Sequence, residues 1–327
     1  MGKKYISIIL LLLHSALCFS TVPNWFVNLE KEFPTEKYIR AIGEGSSELS
    51  AKQAALAELS AHFSTSVEAK TYAHSSKTEK NFEYSSNSSI DQNITVLSNS
   101  ELFVVHYTQS YYDKKEKKYS VCAYINKAEA FNIISQKLSF YEQYFSQKTK
   151  VVKTETDDFR KVMILNDAIS NEKEINTLYE YSLFMNSQKT RKFDDFRSQI
   201  IKTKNTLYEL KQKNPVSVFS NGDYAEQIKS IISEILTENG FVFSKNAAYK
   251  ISADSSFIIT EQIAEQNEIF SCKPSVSVLI EGKSGTISSC VLSSEKISSY
   301  NKRSLTRMAL AKIENLLHEG FVQKCLK

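Results

Sequence analysis

Between Gly45 and Gly222 the chain has no glycine, and between Pro34 and Pro215 it has no proline. Glycine supplies the left-handed conformations of tight turns, and proline breaks helices. So long a stretch without either is hard to reconcile with many tight turns and suits long helices. The apolar spacing agrees. Phe131, Ile134, Leu138, Tyr141 and Phe145 step by three and four, as in a heptad seam. The seam weakens at Lys148 and Glu155 and resumes at Phe159, Val162, Asn166 and Ile169. Further sets run through Ile175, Leu178 and Tyr179, and through Phe193, Phe196, Ile200, Leu207 and Leu210. Capped at Asn126, a continuous helix over residues 127–170 would span roughly 65 Å and return as a hairpin. Its seam has to be covered by the returning helices or by another chain.

Ahead of the helical stretch, residues 38–63 read as a strand, a tight turn at Gly43-Glu44-Gly45 and a helix. Ser46 or Ser47 can cap that helix. Ala51, Ala55, Leu56, Leu59 and Phe63 fall on one stripe at i, i+3, i+4 spacing, and the small alanines let the helix lie close to a sheet. A phosphate-cradle reading of the glycines fails. A dinucleotide fingerprint needs a third glycine, a P-loop needs Gly-Lys-Ser/Thr, and Glu44 would repel phosphate.

Pro23-Asn24-Trp25 behind a leader, then Ala41-Ile42-Gly43-Glu44-Gly45-Ser46-Ser47 and an alanine-rich helix, resemble the Lpp-twenty family of bacterial envelope lipoproteins. The module is similar to the N-terminal domain of flagellar assembly protein T, over about residues 23–129. The resemblance implies a secreted, envelope-associated α+β domain. That family has no known catalytic residues, so no functional position carries over.

Residues 1–20 have the form of a secretory leader: Lys3 and Lys4, then an apolar run over residues 6–13 too short to span a bilayer. Cleavage after Cys18 or after Ser20 fits, giving a soluble N-terminus. A lipid anchor at Cys18 is the alternative, with Leu17 where a lipobox expects a small residue. Cys122, Cys272, Cys290 and Cys325 then remain, able to oxidise in an exported chain. With no CxxC pair, and with His62, His74, His106 and His318 dispersed, zinc is not expected. Cys122 reads as a buried small hydrophobe. Cys272 and Cys290 flank a hairpin whose turn sets them several positions out of register, so their pairing is open but not favoured.

Elsewhere, Trp25 and Phe26 are candidate anchors against the core. Alternation at Val67, Ala69, Thr71 and Ala73 suggests a strand, and residues 75–100 a long polar hairpin whose glycosylation triplets at Asn87 and Asn93 read as chance. Residues 102–112 and 119–125 read as paired strands around a lysine-rich turn. Tyr111, Tyr112, Tyr119 and Tyr124 make that hairpin tyrosine-rich, which suits cross-strand pairs or a binding surface. After Pro215 come a strand at residues 216–219 and a helix carrying Ile228, Ile231, Ile232, Ile235 and Leu236, stopped by Asn239-Gly240. Strands follow at 241–243, 249–260, 275–280 and 286–292, the last two joined by a turn at Gly282-Lys283-Ser284-Gly285. A last helix carries Leu305, Met308, Ile313 and Leu316 and ends at Gly320. This order is similar in outline to the small α+β domains that follow the module in flagellar assembly protein T, or to the N-terminal domain of the translocation protein TolB.

The sequence thus predicts an α+β protein: a leader at residues 1–20, an Lpp-twenty-like α+β domain at 21–129, a long coiled-coil-like helical hairpin at 130–214 and a second α+β domain at 215–327. The net charge of +4, with no basic stripe interleaved with aromatics, argues against a nucleic-acid partner. No GxSxG is present, and the pairs Asp157-Asp158 and Asp194-Asp195 read as solvated helix faces. No catalytic, cofactor-binding or metal-ligating residue is assigned, and no cofactor is expected. The expected role is a non-enzymatic exported protein that binds or scaffolds envelope proteins, around flagellar or outer-membrane assembly. The alternative is a periplasmic ligand-binding or assembly-chaperone protein that uses the tyrosine-rich hairpin. Self-association through the helical hairpin stays open. The expected location is the periplasm or the periplasmic face of the outer membrane.

Overall fold

The computed structural model describes residues 22–78, 104–264 and 267–326. The leader with Cys18, the polar segment from residue 79, and Leu102 and Phe103 lie outside the described residues. The fold is α+β, and the chain divides into two compact units. One comprises Met1–Leu138 and Asn176–Lys192, the other Ser139–Ile175 and Phe193–Lys327. Residues 130–214, expected as a separate hairpin, are therefore shared between the two units.

In the first unit, strand β1 (Tyr38–Gly45) pairs antiparallel with β4 (Lys118–Asn126), from Tyr38 opposite Asn126 to Gly45 opposite Tyr119. Gly43-Glu44-Gly45 is therefore strand and not turn. The glycines are needed because helix α1 (Glu48–Thr78) crosses directly above them. A Cβ on Gly43 would lie 2.0 Å from the Ala55 nitrogen and 2.4 Å from the Ala51 oxygen. Ala51, Ala55, Leu59 and Phe63 are buried, as their stripe predicts, while Leu56 at its margin is half-buried. Ser47 provides the cap, its Oγ accepting the Ser50 N–H at 3.2 Å.

Helix α1 also absorbs the strand expected from Val67. Val67 is buried one turn beyond Phe63 and continues the helical stripe, and nothing in the local sequence breaks the helix. The strand expected over 102–112 is two short pieces on β4, β2 (His106–Tyr107) and β3 (Tyr111–Asp113). Between them Thr108 takes over the pairing. Its N–H donates to the Cys122 oxygen, and its Oγ1 accepts the Cys122 N–H, both at 3.0 Å.

The helical stretch is four helices: α2 (Lys127–Thr154), α3 (Asp158–Ala168), α4 (Glu172–Thr190) and α5 (Asp194–Lys213). The helix expected to run unbroken to residue 170 stops at Thr154. The Glu155 carboxylate accepts the N–H groups of Thr156 and Asp157, at 2.7 and 2.9 Å, and Asp157 then caps α3 by accepting the Arg160 N–H at 2.9 Å. Local acceptors of this kind compete with the helix ladder. The seam residues themselves are where the spacing puts them: Phe131, Ile134, Leu138, Phe145, Phe159, Val162, Ile175, Leu178, Phe193, Phe196, Ile200 and Leu207 are all buried.

In the second unit a sheet of order β10-β9-β6-β5 has β5 (Val216–Gly222) parallel to β6 (Tyr249–Ser256). The rest, β9 (Ser275–Gly282) and β10 (Gly285–Ser293), is antiparallel. Helices α6 (Ala225–Glu238) and α7 (Lys302–Gly320) bury Ile228, Ile232, Ile235, Leu236, Leu305, Ala309, Ile313 and Leu317 in one core with Ile251, Val276, Val278 and Ile280. Phe159, Val162, Met163, Leu165 and Leu207 belong to the same core, so it does not begin at Pro215. The expected stop of α6 is present as a Schellman end. Gly240 has φ +76°, the Gly240 N–H donates to the Thr237 oxygen and the Phe241 N–H to the Leu236 oxygen.

The C-terminal elements differ from the expected pattern in four places. The strand expected at 241–243 is a single bridge, Val216 to Phe243. The one expected over 249–260 ends at Ser256, and a second sheet of order β11-β8-β7 follows, built from β7 (Ile259–Ala264), β8 (Asn267–Cys272) and β11 (Ile297–Ser299). Met308 is exposed on α7, Ala309 taking the inward position, and the chain runs past Gly320 into a π-turn, Phe321–Cys325. Among the described residues no helix is long and apolar enough to cross a membrane.

Candidate functional site

The β1–β4 pair has two faces, because successive side chains alternate. Ile39, Ala41, Val121, Ala123 and Ile125 share the face under α1. Tyr38, Arg40, Ile42 and Glu44 occupy the other, with Tyr124, Cys122 and Lys118 of β4. An aromatic cluster forms there. The Tyr124 ring lies 4.3 Å from Phe33, 5.7 Å from Tyr38 and 5.3 Å from His106, stacked on the last. His106 Nε2 is 3.0 Å from a Glu129 carboxylate oxygen.

Charge on this face is paired. Arg40, only 11% exposed in its side chain, bonds Glu30, while its Nε is buried without a partner. Glu30 also accepts the Thr35 N–H at 3.0 Å; that bond, then Arg40, holds its carboxyl below the usual range. Glu44 faces Lys118 at 3.2 Å. Cys122 is fully buried, and burial pushes its thiol up to about 11, so it stays protonated and unreactive at neutral pH.

The four tyrosines of the hairpin do different things. Tyr112 sits directly opposite Tyr119 with rings 4.9 Å apart, an ordinary cross-strand pair. Tyr111 packs on Phe26 at 4.7 Å, and Tyr124 joins the cluster above. Of the four, only Tyr112 is exposed, at 42%, and Tyr107 on β2, paired four residues further along β4, is exposed at 38%. Trp25 is buried, as an anchor should be. The sequence places Tyr107 on one face of its strand with Phe103 and Val105; Tyr107 is exposed, Val105 is half-buried and Phe103 lies outside the described residues.

Among the described residues the remaining chemistry-bearing side chains do not converge; that of His74 lies outside them. His62 is exposed on α1, and His318 is exposed in the last turn of α7. Asp157 is a cap, Asp158 pairs with Lys161 at 2.9 Å, and Asp194 and Asp195 occupy the first turn of α5. Among the described residues no three His, Cys, Asp or Glu side chains gather as a metal-holding group. Gly282-Lys283-Ser284-Gly285 closes the β9–β10 hairpin with Gly285 at φ +112°. Cys290 is bridged to Cys325, with Cα atoms 5.3 Å apart, and Cys272 is free and buried.

Two further features of the second unit escaped sequence reasoning. The sheet face turned away from α6 and α7 carries a hollow of ≈ 420 Å³ lined by Asn221, Ser252, Asp254, Ser277, Ser289 and Val291, among others. Lys211 is 7% exposed. Its Nζ donates to Asn166 Oδ1 at 3.1 Å and to the Asn239 oxygen at 2.9 Å, and lies 5.0 Å from the Phe241 ring centre. With no carboxylate among these partners, burial pulls its ammonium down to about 8.

The sequence matches no family model and no curated protein. Among solved structures it is similar to a secreted protein of the human pathogen Helicobacter pylori, at 14% identity and a TM-score of 0.36 over 86% of this chain and 96% of that one. It is also similar to a minor lipoprotein of Acinetobacter baumannii, at 14% identity and a TM-score of 0.25 over 32% of this chain and 84% of that one. Overlays this loose assign neither family nor function.

Proposed function

We propose that this chain is an exported, non-enzymatic envelope protein that binds or scaffolds other envelope proteins, around flagellar or outer-membrane assembly. The observation that carries its compartment is the Cys290–Cys325 bridge. Disulfides form and persist in oxidising compartments, and the leader-like residues 1–20 agree with export. The binding role is supported by the exposed rings of Tyr107 and Tyr112 on the strands paired to β4. Crosslinking in intact cells, followed by identification of what is captured, tests it. Recovery of flagellar or outer-membrane assembly components upholds the reading. Recovery of the chain alone removes it.

A second reading, a periplasmic ligand-binding or chaperone role for the tyrosine hairpin, is favoured by the exposure of Tyr107 and Tyr112. Replacing both by Ala leaves the fold standing and abolishes binding if that hairpin is the recognition edge. Unchanged binding in a folded variant removes this reading.

A further inference from the structure

The β7–β8 hairpin outruns its own sheet. Strand β11 reaches only Cys272, Ser271 and Phe270 of β8, whereas β7 pairs β8 over six residues. The outer pairs, Gln262 with Ile269, Ile263 with Glu268 and Ala264 with Asn267, therefore form a ribbon with no third strand among the described residues. A bare two-stranded ribbon is marginal in water by itself. Its base is secured, since Cys272 is buried in the core and Ile259, Phe270 and Ile297 pack against it. The face that is apolar at the base continues outward as Glu261, Ile263 and Glu268, because directly opposed residues share a face. Ile263 is 80% exposed.

Three properties of this arm identify its occupant. The outer edge of β7 ends its sheet, so it presents unpaired N–H and C=O groups at strand spacing, complementary to another extended backbone. Its only charged residue is Glu261, and residues 259–264 contain neither lysine nor proline. The arm is acidic on a chain of net charge +4, with no Lys or Arg from residue 257 to 272. Among the described residues neither Glu261 nor Glu268 has an ion pair. Pairing β7 of one copy with β7 of another would bring these like charges together, which opposes self-pairing.

We propose that the β7 edge is a strand-addition site for an extended, basic segment of another protein, with Ile263 as its apolar anchor and Glu261 and Glu268 reading its lysines or arginines. This rests on the binding role proposed above. Cell crosslinking tests that role, and the peptide titration below tests the arm alone, so the two fail separately.

The probe is a labelled peptide of alternating lysine and valine, titrated by fluorescence anisotropy against the full chain. A glutamate–valine peptide and an alternately N-methylated lysine–valine peptide serve as comparisons. Salt-sensitive binding of the lysine–valine peptide is expected, weakened about tenfold or more by Glu261→Lys with Glu268→Lys and by Ile263→Asp. The two comparison peptides should not bind. All three positions are exposed, so the variants should melt like the parent chain. Equal binding of the glutamate–valine peptide overturns the charge argument, and equal binding of the N-methylated peptide overturns strand addition. Absence of binding at millimolar peptide overturns the site. Sedimentation showing self-association that Ile263→Asp abolishes replaces the partner with a second copy and overturns the proposal.

Discussion

A methyl group at residue 43 has nowhere to go. The backbone of α1 at Ala51 and Ala55 already occupies the space, and backbone cannot rotate aside as a side chain does. Gly43→Ala is therefore expected to destabilise the first unit by about 3 kcal/mol, the upper end of ordinary overpacking, seen as a lower urea midpoint. Gly285→Ala is the contrast. Nothing lies within 4 Å of its added Cβ, so only the strain of φ +112° is expected, roughly 1–2 kcal/mol. Lys211 supplies a pH signature. The unfolded amine holds its proton to about 10.5, the folded one only to about 8. Between those values the unfolded chain binds more protons, so stability rises with pH across the window, by up to roughly 3 kcal/mol. Below pH 8 the penalty of the buried charge is present in full. Denaturant melts from pH 7 to 10.5 should show this rise in the parent chain relative to Lys211→Met. In the sequence the glycine was legible as part of a turn between strand and helix, and the close approach as a property of the helix alanines. Lys211 was not legible, because one of its acceptors belongs to Asn239, far along the chain.

At the scale of elements, periodicity reported which residues are buried and misjudged where helices stop. Every large apolar seam residue but Tyr141, Ile169 and Leu210 is buried, yet the break after Thr154 depends on N–H groups bonding to the Glu155 and Asp157 carboxylates, which periodicity does not encode. Asp157→Ala removes the α3 cap and should cost about 1 kcal/mol, measurable as a shift in the urea midpoint at unchanged slope. The β7–β8 hairpin was missed for a related reason. Beyond its base it has no alternating core face, so the feature that makes it a candidate docking arm removes the signal that announces a strand. The bridge joining β10 to the C-terminal π-turn closes a separation of 35 residues. Replacing Cys290 and Cys325 together by Ser should lower stability by roughly 2–4 kcal/mol, read as a lower Tm that reductant produces in the parent chain and not in the variant.

At the scale of the whole molecule, α+β was legible and the borders were not. Asn214-Pro215 ends a helix, and that local stop resembles a domain border, because proline marks both. The core ignores it. Phe159 lies 5.9 Å from Phe241 and 5.1 Å from Tyr249, ring to ring, and Val162, Met163, Leu165 and Leu207 pack in the same cluster. A fragment of residues 215–327 would thus expose the apolar surface that α3 and α5 cover. Each large buried side chain is worth about 1.5–3 kcal/mol of transfer free energy, and five are removed at once, an amount comparable to the whole stability of a small domain. The fragment is expected to be soluble only weakly, to bind hydrophobic dye and to give collapsed amide dispersion in NMR. A fragment that keeps residues 139–175 and 193–327, joined by a short flexible linker, restores the full core and should give a dispersed spectrum with a cooperative melt. A well-dispersed spectrum from 215–327 alone would show that the sheet and its two helices suffice, and would return the border to Pro215.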